Sequence, residues 1–287
     1  MLFSDLKNAH PQPQPLATVA KRKPRIPIKS AGEIDAMREA GRVASTILQA
    51  VAAEAAPGKT TGEIDQMAAD LMEDHGCKSA FLNYRGFPGY TCISMNEEVV
   101  HGIGGARKIM PGDIISIDVG IVKDGFIGDN ATTVAVGDIP IETQRLLAAT
   151  EESLFRAIDH ARAGERLANL CGAVEEFVDP LGFSIVREFV GHGVGRNLHE
   201  EPQIPNYRPT GKTPILQPGM TLAIEPMVNA GVASVRILGD GWTVVTGDRK
   251  PSAHFEHTVL VTDGEPEVLT MRPRQALPEQ FGLPEWG

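Results

Sequence analysis

Asp118, Asp129, His192, Glu225 and Glu256 are the residues of this chain whose types, taken together, could do chemistry. Each falls at a strand end or turn-like position from which a carboxylate or imidazole can point inward. Four carboxylates brought to one point repel one another, and divalent cations placed between them are the natural way to keep them ionised. Oxygen donors with a single imidazole suit Mn, Fe, Co or Zn better than a thiolate zinc site does. A pair of such ions points to hydrolysis by an activated water.

The local patterns explain how these side chains could meet. Asp118 and Asp129 lie on strand patterns at 114–119 and 126–136, joined by Lys123-Asp124-Gly125, where Asp-Gly signals a hairpin turn. A turn centred on 123–124 sets the two aspartates opposite each other. One centred on 124–125 makes them diagonal neighbours, and either register keeps them on one face. Glu225 in LAIEPM and Glu256 in HFEHTV are acids inside apolar strand patterns, costly unless they bind something. His192 and His199 lie in the glycine-rich GHGVGRNLHEEP, and His101 in HGIG, where glycine permits close backbone approach. Glu200, Glu201 and Asp263 lack such a setting and read as surface charges.

The elements that must position these residues recur in two halves. Ser30, followed by Glu33, marks the start of a helix through about residue 51, and a second helix spans 61–75. Strand patterns follow at 79–82, 90–94, 114–119 and 126–136. The second half repeats the plan, with helices at 141–161 and 167–181 and strands at 184–189, 221–228, 242–246 and 253–262. PGKTTGEIDQMAADLMEDHG from Pro57 aligns with AGERLANLCGAVEEFVDPLG from Ala163, and PGDIISIDVG from Pro111 with PGMTLAIEPM from Pro218, at nearly the same offset. Asp118 and Glu225 therefore occupy equivalent places. The expected architecture is two pseudo-equivalent α+β halves, about 31–138 and 139–270, with the site in the seam between them.

Composition bounds the class. A chain of 287 residues, 42% hydrophobic and 22% charged, can bury a large core, and a formal charge of −10 argues against specific DNA binding. Cys77, Cys92 and Cys171 have neither an even count nor zinc spacing, which fits a reducing compartment. With no long apolar run and no signal-peptide pattern, the expectation is a cytoplasmic protein without a membrane partner. Residues 1–30 mix Pro11, Pro13, Pro15, Pro24 and Pro27 with Lys21, Arg22, Lys23, Arg25 and Lys29. That composition suits a poorly packed arm with little influence on the site, or a docking arm for an acidic or proline-recognising partner such as ribosomal RNA or an SH3-like surface.

Across about residues 30–275, the segments NEEVVHGI, DIISIDVG, FIGDNATTV, GHGVGRNLHEEP, LAIEPM and HFEHTV together resemble the type I methionine aminopeptidases of the pita-bread fold. The resemblance implies an α+β fold whose two halves share a curved antiparallel sheet with helices outside. It implies two divalent ions per chain, Co, Mn, Fe or Zn, held by the five residues named first, with Asp129 and Glu256 bridging. It places His101 and His199 outside the metal shell, against the substrate, and Glu225 beside the nucleophile as the mover of its proton. Phe81, Tyr84, Phe87, Cys92, Leu198 and Trp242 would line a methionine pocket. Phe81, Arg85 and Leu198 depart from many members, which carry a small residue, His and Phe there. The implied substrates are peptides and nascent chains with an unblocked N-terminal Met and a small second residue, and the implied enzyme is monomeric. Proline-directed relatives usually carry a large N-terminal domain, non-catalytic relatives have eroded ligands, and the close spacing of Glu225 and Glu256 leaves no room for the type II insertion.

Overall fold

The computed structural model describes residues 25–274; most of the proline-rich arm, through Pro24, lies outside them. Helix α1 (Ala31–Ala53) begins where the Ser30 N–H donates to Glu33 Oε2 at 3.0 Å. Helix α2 (Thr61–Asp74) begins with a reciprocal pair: Glu63 N–H donates to Thr60 Oγ1 at 3.2 Å, and Thr60 N–H to Glu63 Oε2 at 2.7 Å. Strands β1 (Lys78–Ser79), β2 (Cys92–Met95), β3 (Glu98–Val100), β4 (Ile114–Lys123) and β5 (Phe126–Ala135) complete the first half. The second half opens with α3 (Ile141–Asp159) and α4 (Leu167–Val178). Ten short strands follow: β6 (Ser184–Ile185), β7 (Gly191–Gly193), β8 (Glu200–Ile204), β9 (Thr221–Ile224), β10 (Met227–Asn229), β11 (Val235–Ile237), β12 (Val244–Thr246), β13 (Ser252–His254), β14 (His257–Leu260) and β15 (Glu267–Val268).

Every strand pairing is antiparallel. The first-half sheet places β1 and β2 end to end along one edge of β4, with β5 on the other. The second half contributes the order β15-β14-β9-β7-β8 and the three-stranded β13-β10-β6, while β12 joins the halves by pairing with both β11 and β3. Two cores match the two halves. One gathers Ile47, Ile64, Ile93 and Ile117 under α1 and α2, and the other gathers Leu154, Leu170, Leu222 and Phe255 under α3 and α4.

Several strands are shorter than their patterns predict, for local reasons. The pattern at 79–82 ends at Ser79, whose hydroxyl accepts the Phe81 and Leu82 N–H groups at 3.0 Å and turns the chain out of the sheet. The pattern at 184–189 pairs only through Ile185, and Phe189 instead packs edge-on against His101 at 5.4 Å between ring centroids. The patterns at 221–228 and 253–262 are each split, at Glu225-Pro226 and at Phe255-Glu256. Those two breaks face each other, because Ile224 pairs with His257 on one side and Met227 with His254 on the other. Proline has no N–H for a ladder, so the interruption at Pro226 follows from its chemistry.

The last residues of the N-terminal arm are packed, contrary to their composition. Ile26 rests on the second core, Lys29 N–H donates to the Gly219 carbonyl at 2.8 Å, and the buried Lys29 ammonium lies 2.6 Å from Glu200 Oε2. Glu200 is thereby corrected from a surface charge to a buried, paired one, with its side chain 8% exposed. The local sequence offers no hint of a partner so distant along the chain.

Helix α1 lies directly on the β4–β5 hairpin, and Gly128 makes that approach possible: a methyl group there would overlap the Ala40 carbonyl. Gly128→Ala should therefore push α1 off the hairpin and destabilise the protein by about 1–3 kcal/mol, the range for overpacking. Urea unfolding is the check, and an unchanged midpoint would refute the close packing of helix on hairpin.

Candidate metal centre

The hairpin register settles how the two aspartates meet. Lys123 pairs with Phe126, Asp118 with Ala131 and Gly120 with Asp129, so the turn is centred on Asp124-Gly125, both at positive φ (49° and 79°), and the aspartates are diagonal neighbours. Opposite Asp129 there is no side chain; a methyl on Gly120 would overlap the Phe81 ring. Glu225 and Glu256 reach the same place from the facing breaks in their strands. The Glu256 N–H, released from its own ladder, donates to the Ala131 carbonyl at 2.9 Å, and Thr258 Oγ1 donates to the Asp129 carbonyl at 2.8 Å. Thr133 Oγ1 adds a third stitch, donating to the His254 carbonyl at 2.8 Å and accepting its N–H at 2.9 Å. His192 stands between two glycines that admit no side chain, since a methyl on Gly191 would overlap the Ala223 carbonyl and one on Gly193 the Glu201 carbonyl.

The electrostatics of this seam are those of buried acids gathered close together. Burial raises the Asp129 carboxyl to about 7. Asp118, Glu225 and Glu256 are held well above the ordinary carboxylate range, first by burial and then by the neighbouring acids. Burial also pushes His192 and His254 down to about 3, so both imidazoles are neutral. His192 Nδ1 lies 2.9 Å from the Gly193 carbonyl, which accepts its proton. The Nε2 lone pair then faces the acids, 3.5 Å from Glu225 Oε1 and 3.8 Å from Asp129 Oδ2.

This set fits divalent cations. Asp118 Oδ1, Asp129 Oδ1 and Glu256 Oε1 are buried with no hydrogen-bond partner in the protein, and donor atoms of Asp129, His192 and Glu256 all lie within 4.8 Å of one another. Oxygen donors beside one neutral imidazole are the forms that ligate hard to borderline ions.

The centre forms the floor of a cavity of about 270 Å³. All six residues expected to form an apolar pocket, Phe81, Tyr84, Phe87, Cys92, Leu198 and Trp242, line it, as do His101 and His199. Phe81 also belongs to the first core, so the wall and the core are continuous there. Phe87 and Trp242 meet edge-on at 5.2 Å, and Tyr84 stacks on His199 at 5.4 Å with its hydroxyl 2.8 Å from His199 Nδ1. His101 holds a left-handed backbone, φ 60°, ahead of Gly102, whose N–H donates to Ser94 Oγ at 3.0 Å.

Two further residues of the centre were not singled out by sequence. His254 lines the cavity with Nε2 3.7 Å from Glu225 Oε2; it stands two residues before Glu256, on the strand pattern that reaches the centre. Arg272, in a tail with no periodicity, donates from Nη1 to the Glu256 carbonyl at 3.0 Å and from Nη2 to the Ala131 carbonyl at 2.8 Å, clamping the seam.

Raised carboxyl pKa values mean that the folded, ion-free chain keeps protons that the unfolded chain releases. The resulting stabilisation is complete below the ordinary carboxyl values and is lost as pH climbs through about 7 for Asp129 and higher for the others. His192 and His254 act in the opposite sense only below their ordinary value of 6.5, and above it they are neutral in both states. The Tm of chelator-treated protein should therefore fall between about pH 6.5 and 9, with a divalent ion restoring most at the alkaline end. A Tm that rose across that window without metal would contradict the clustering of acids.

Comparison with known proteins agrees with this construction. The model of metallopeptidase family M24 matches residues 35–263. Methionine aminopeptidase 1 of Bacillus subtilis is 49% identical over 242 residues, covering 84% of this chain and 98% of that protein. Methionine aminopeptidase of Escherichia coli K12 is 44% identical over 255 residues, covering 88% and 97%. The crystal structure of methionine aminopeptidase from Thermotoga maritima superposes with a TM-score of 0.84 at 43% identity, covering 86% of this chain and all of that one. A prolidase from Pyrococcus furiosus shares the fold at a TM-score of 0.70 and 25% identity, but the match covers only 66% of that chain. The chain therefore belongs to metallopeptidase family M24, alongside the bacterial methionine aminopeptidases.

Proposed function

We propose that this chain removes the N-terminal methionine of newly made proteins, hydrolysing the first peptide bond with a pair of divalent cations where the second residue is small. The observation that carries this reading is the meeting of two surfaces in one cavity: buried acids with unpartnered oxygens on the floor, and an apolar, aromatic wall beside them. Its relatives' names support the methionine-directed reading over a proline-directed or non-catalytic one. Asp118, Asp129, His192, Glu225 and Glu256 would hold the cations, with Asp129 and Glu256 shared between them, and Co, Mn, Fe or Zn suits the donors. Bound there, the cations supply Lewis acidity and lower the pKa of a water.

The chain's own residues do the rest. Phe81, Tyr84, Phe87, Cys92, Leu198 and Trp242 exclude water and take an unbranched thioether in preference to a β-branched side chain. Burial, with Asp118 and Asp129 adding to it, pushes the Cys92 thiol well up, so this residue is an inert wall rather than a nucleophile. The Tyr84 hydroxyl lies 2.8 Å from His199 Nδ1; donation by that hydroxyl would leave the His199 proton on Nε2, free to stabilise the oxyanion of the scissile carbonyl. His101, pushed down to about 4 by burial and then by His199, is a neutral donor for the leaving nitrogen. Glu225, whose carboxyl burial and the two aspartates raise, can take a proton and pass it to that nitrogen.

The wider assignment follows the same reading. No helix among the described residues is long and apolar enough to cross a membrane, and Cys77, Cys92 and Cys171 are free and buried, in keeping with the cytoplasm. The catalytic unit is assigned to residues 31–287, acting as a monomer, with residues 1–30 a basic extension suited to an acidic partner such as the ribosome.

Asp129→Ala or Glu256→Ala should lose metal and activity together, and two ions with full turnover in Asp129→Ala would sink the dimetal assignment. His199→Ala should keep its metal and lose about 2–4 kcal/mol of transition-state stabilisation; metal loss there would make His199 a ligand. Phe81→Ala should widen the pocket and lower the ratio of kcat/KM for Met over Leu at the first position. An unchanged ratio would leave Phe81 to the core alone.

A further inference from the structure

Beside the cavity runs a second, more open groove of about 540 Å³, and the two are continuous, because Arg85, Val190, His192 and His199 line both. Beyond the shared residues it is lined by Arg25, Pro27, Asn197, Glu201 and Gln203. Gln203 and Glu201 belong to β8, the edge strand of the five-stranded sheet. A substrate whose first side chain fills the cavity can continue past His199 into this groove, which opens outward from the shared residues.

The groove has a definite charge. Arg85 and Arg25 are exposed, and among the described residues no ion pair is found for either. Arg85 is fixed by a left-handed backbone, φ 51°, with its guanidinium 5.4 Å from the centre of the Tyr84 ring. Arg25 is held by the packed segment behind it, where Ile26 meets the second core and Lys29 is tied to Gly219 and Glu200. Of the acids facing the groove among the described residues, Glu200 is neutralised by Lys29, leaving exposed Glu201 as the opposing charge. His192 and His199 are both shifted toward their neutral forms by burial.

Resting on the aminopeptidase reading above, we infer that this groove carries the substrate chain beyond its second residue, and that Arg85 and Arg25 make the enzyme prefer acidic over basic side chains at the third and fourth positions. Arg25 comes from the arm expected to have little influence on the site, and its place in the groove wall follows from the packing of that segment.

The test compares the metal-loaded full chain on three peptides that share their first two residues: Met-Ala-Glu-Glu-Gly, Met-Ala-Gln-Gln-Gly and Met-Ala-Lys-Lys-Gly. Exposed ion pairs predict kcat/KM for the Glu peptide over the Lys peptide of roughly two- to ten-fold, carried by KM and shrinking as salt rises. The ratio should fall toward one in the R25Q/R85Q double variant and should widen in E201Q, a pair of opposite shifts that a loss of folding would not produce. Equal cleavage by the wild type, or a ratio unchanged in R25Q/R85Q, overturns the inference. Failure to cleave any of the three, the Gln peptide included, would instead refute the aminopeptidase reading and remove the groove's role with it.

Discussion

Four carboxyl groups are held together at the floor of a cavity in the seam of this fold, largely withdrawn from bulk solvent, and much of the architecture serves to keep them there. Left alone, such a cluster would take up protons or push its elements apart, which is the direction of the raised carboxyl pKa values at Asp118, Asp129, Glu225 and Glu256. Backbone carries the opposing force. The Glu256 N–H, Thr133, Thr258 and Arg272 all bond main-chain atoms across the seam, so the acids are fixed by groups that do not compete for their oxygens. Carboxylate oxygens left without protein partners are then available to cations.

The way the sheet is interrupted follows from this need. A continuous ladder would bond the backbones of Glu225 and Glu256 to each other's strands, with no reason to turn toward the first half. Pro226 breaks one strand and Phe255-Glu256 the other at the facing position, and the freed Glu256 N–H binds the hairpin at Ala131, directly opposite Asp118. One irregularity thus brings an acid from the second half into register with an acid from the first. Glycine plays the complementary part at Gly120, Gly128, Gly191 and Gly193, where side chains would block helix, wall or neighbouring strand.

What was legible in the sequence divides along the same line. The helix starts at Ser30 and Thr61, the Asp-Gly hairpin and the costly acids in apolar strands were readable because each depends on residues near in the chain. Even so, the hairpin pattern admitted two registers, and only the observed pairing of Lys123 with Phe126 chooses between them. Nonlocal partners left no such trace. Lys29 with Glu200, and Arg272 with the carbonyls of Ala131 and Glu256, join residues far apart in sequence, so Glu200 looked like a surface charge and Arg272 was not singled out. One short strand follows the same logic, because Phe189 lies outside the sheet against His101, whereas Ser79 ends its strand through local bonds to the Phe81 and Leu82 N–H groups.

The dryness that makes the acids costly also sets the states of the imidazoles around them. Burial holds His101, His192 and His254 neutral, so none contributes a positive charge that would oppose a cation, and each keeps a lone pair or an N–H in a defined direction. Which nitrogen bears the proton is then decided by a fixed partner outside the centre. The Gly193 carbonyl, which can only accept, does this for His192 and turns its Nε2 lone pair toward the acids, while His199 Nδ1 meets the Tyr84 hydroxyl at 2.8 Å. Two histidines whose rings lie 4.3 Å apart thus have different second contacts, a backbone carbonyl for one and a phenolic hydroxyl for the other. One of those contacts is the carbonyl of a glycine that admits no side chain, and the other is a residue of the cavity wall, so the setting of His192 and that of the wall meet at this pair.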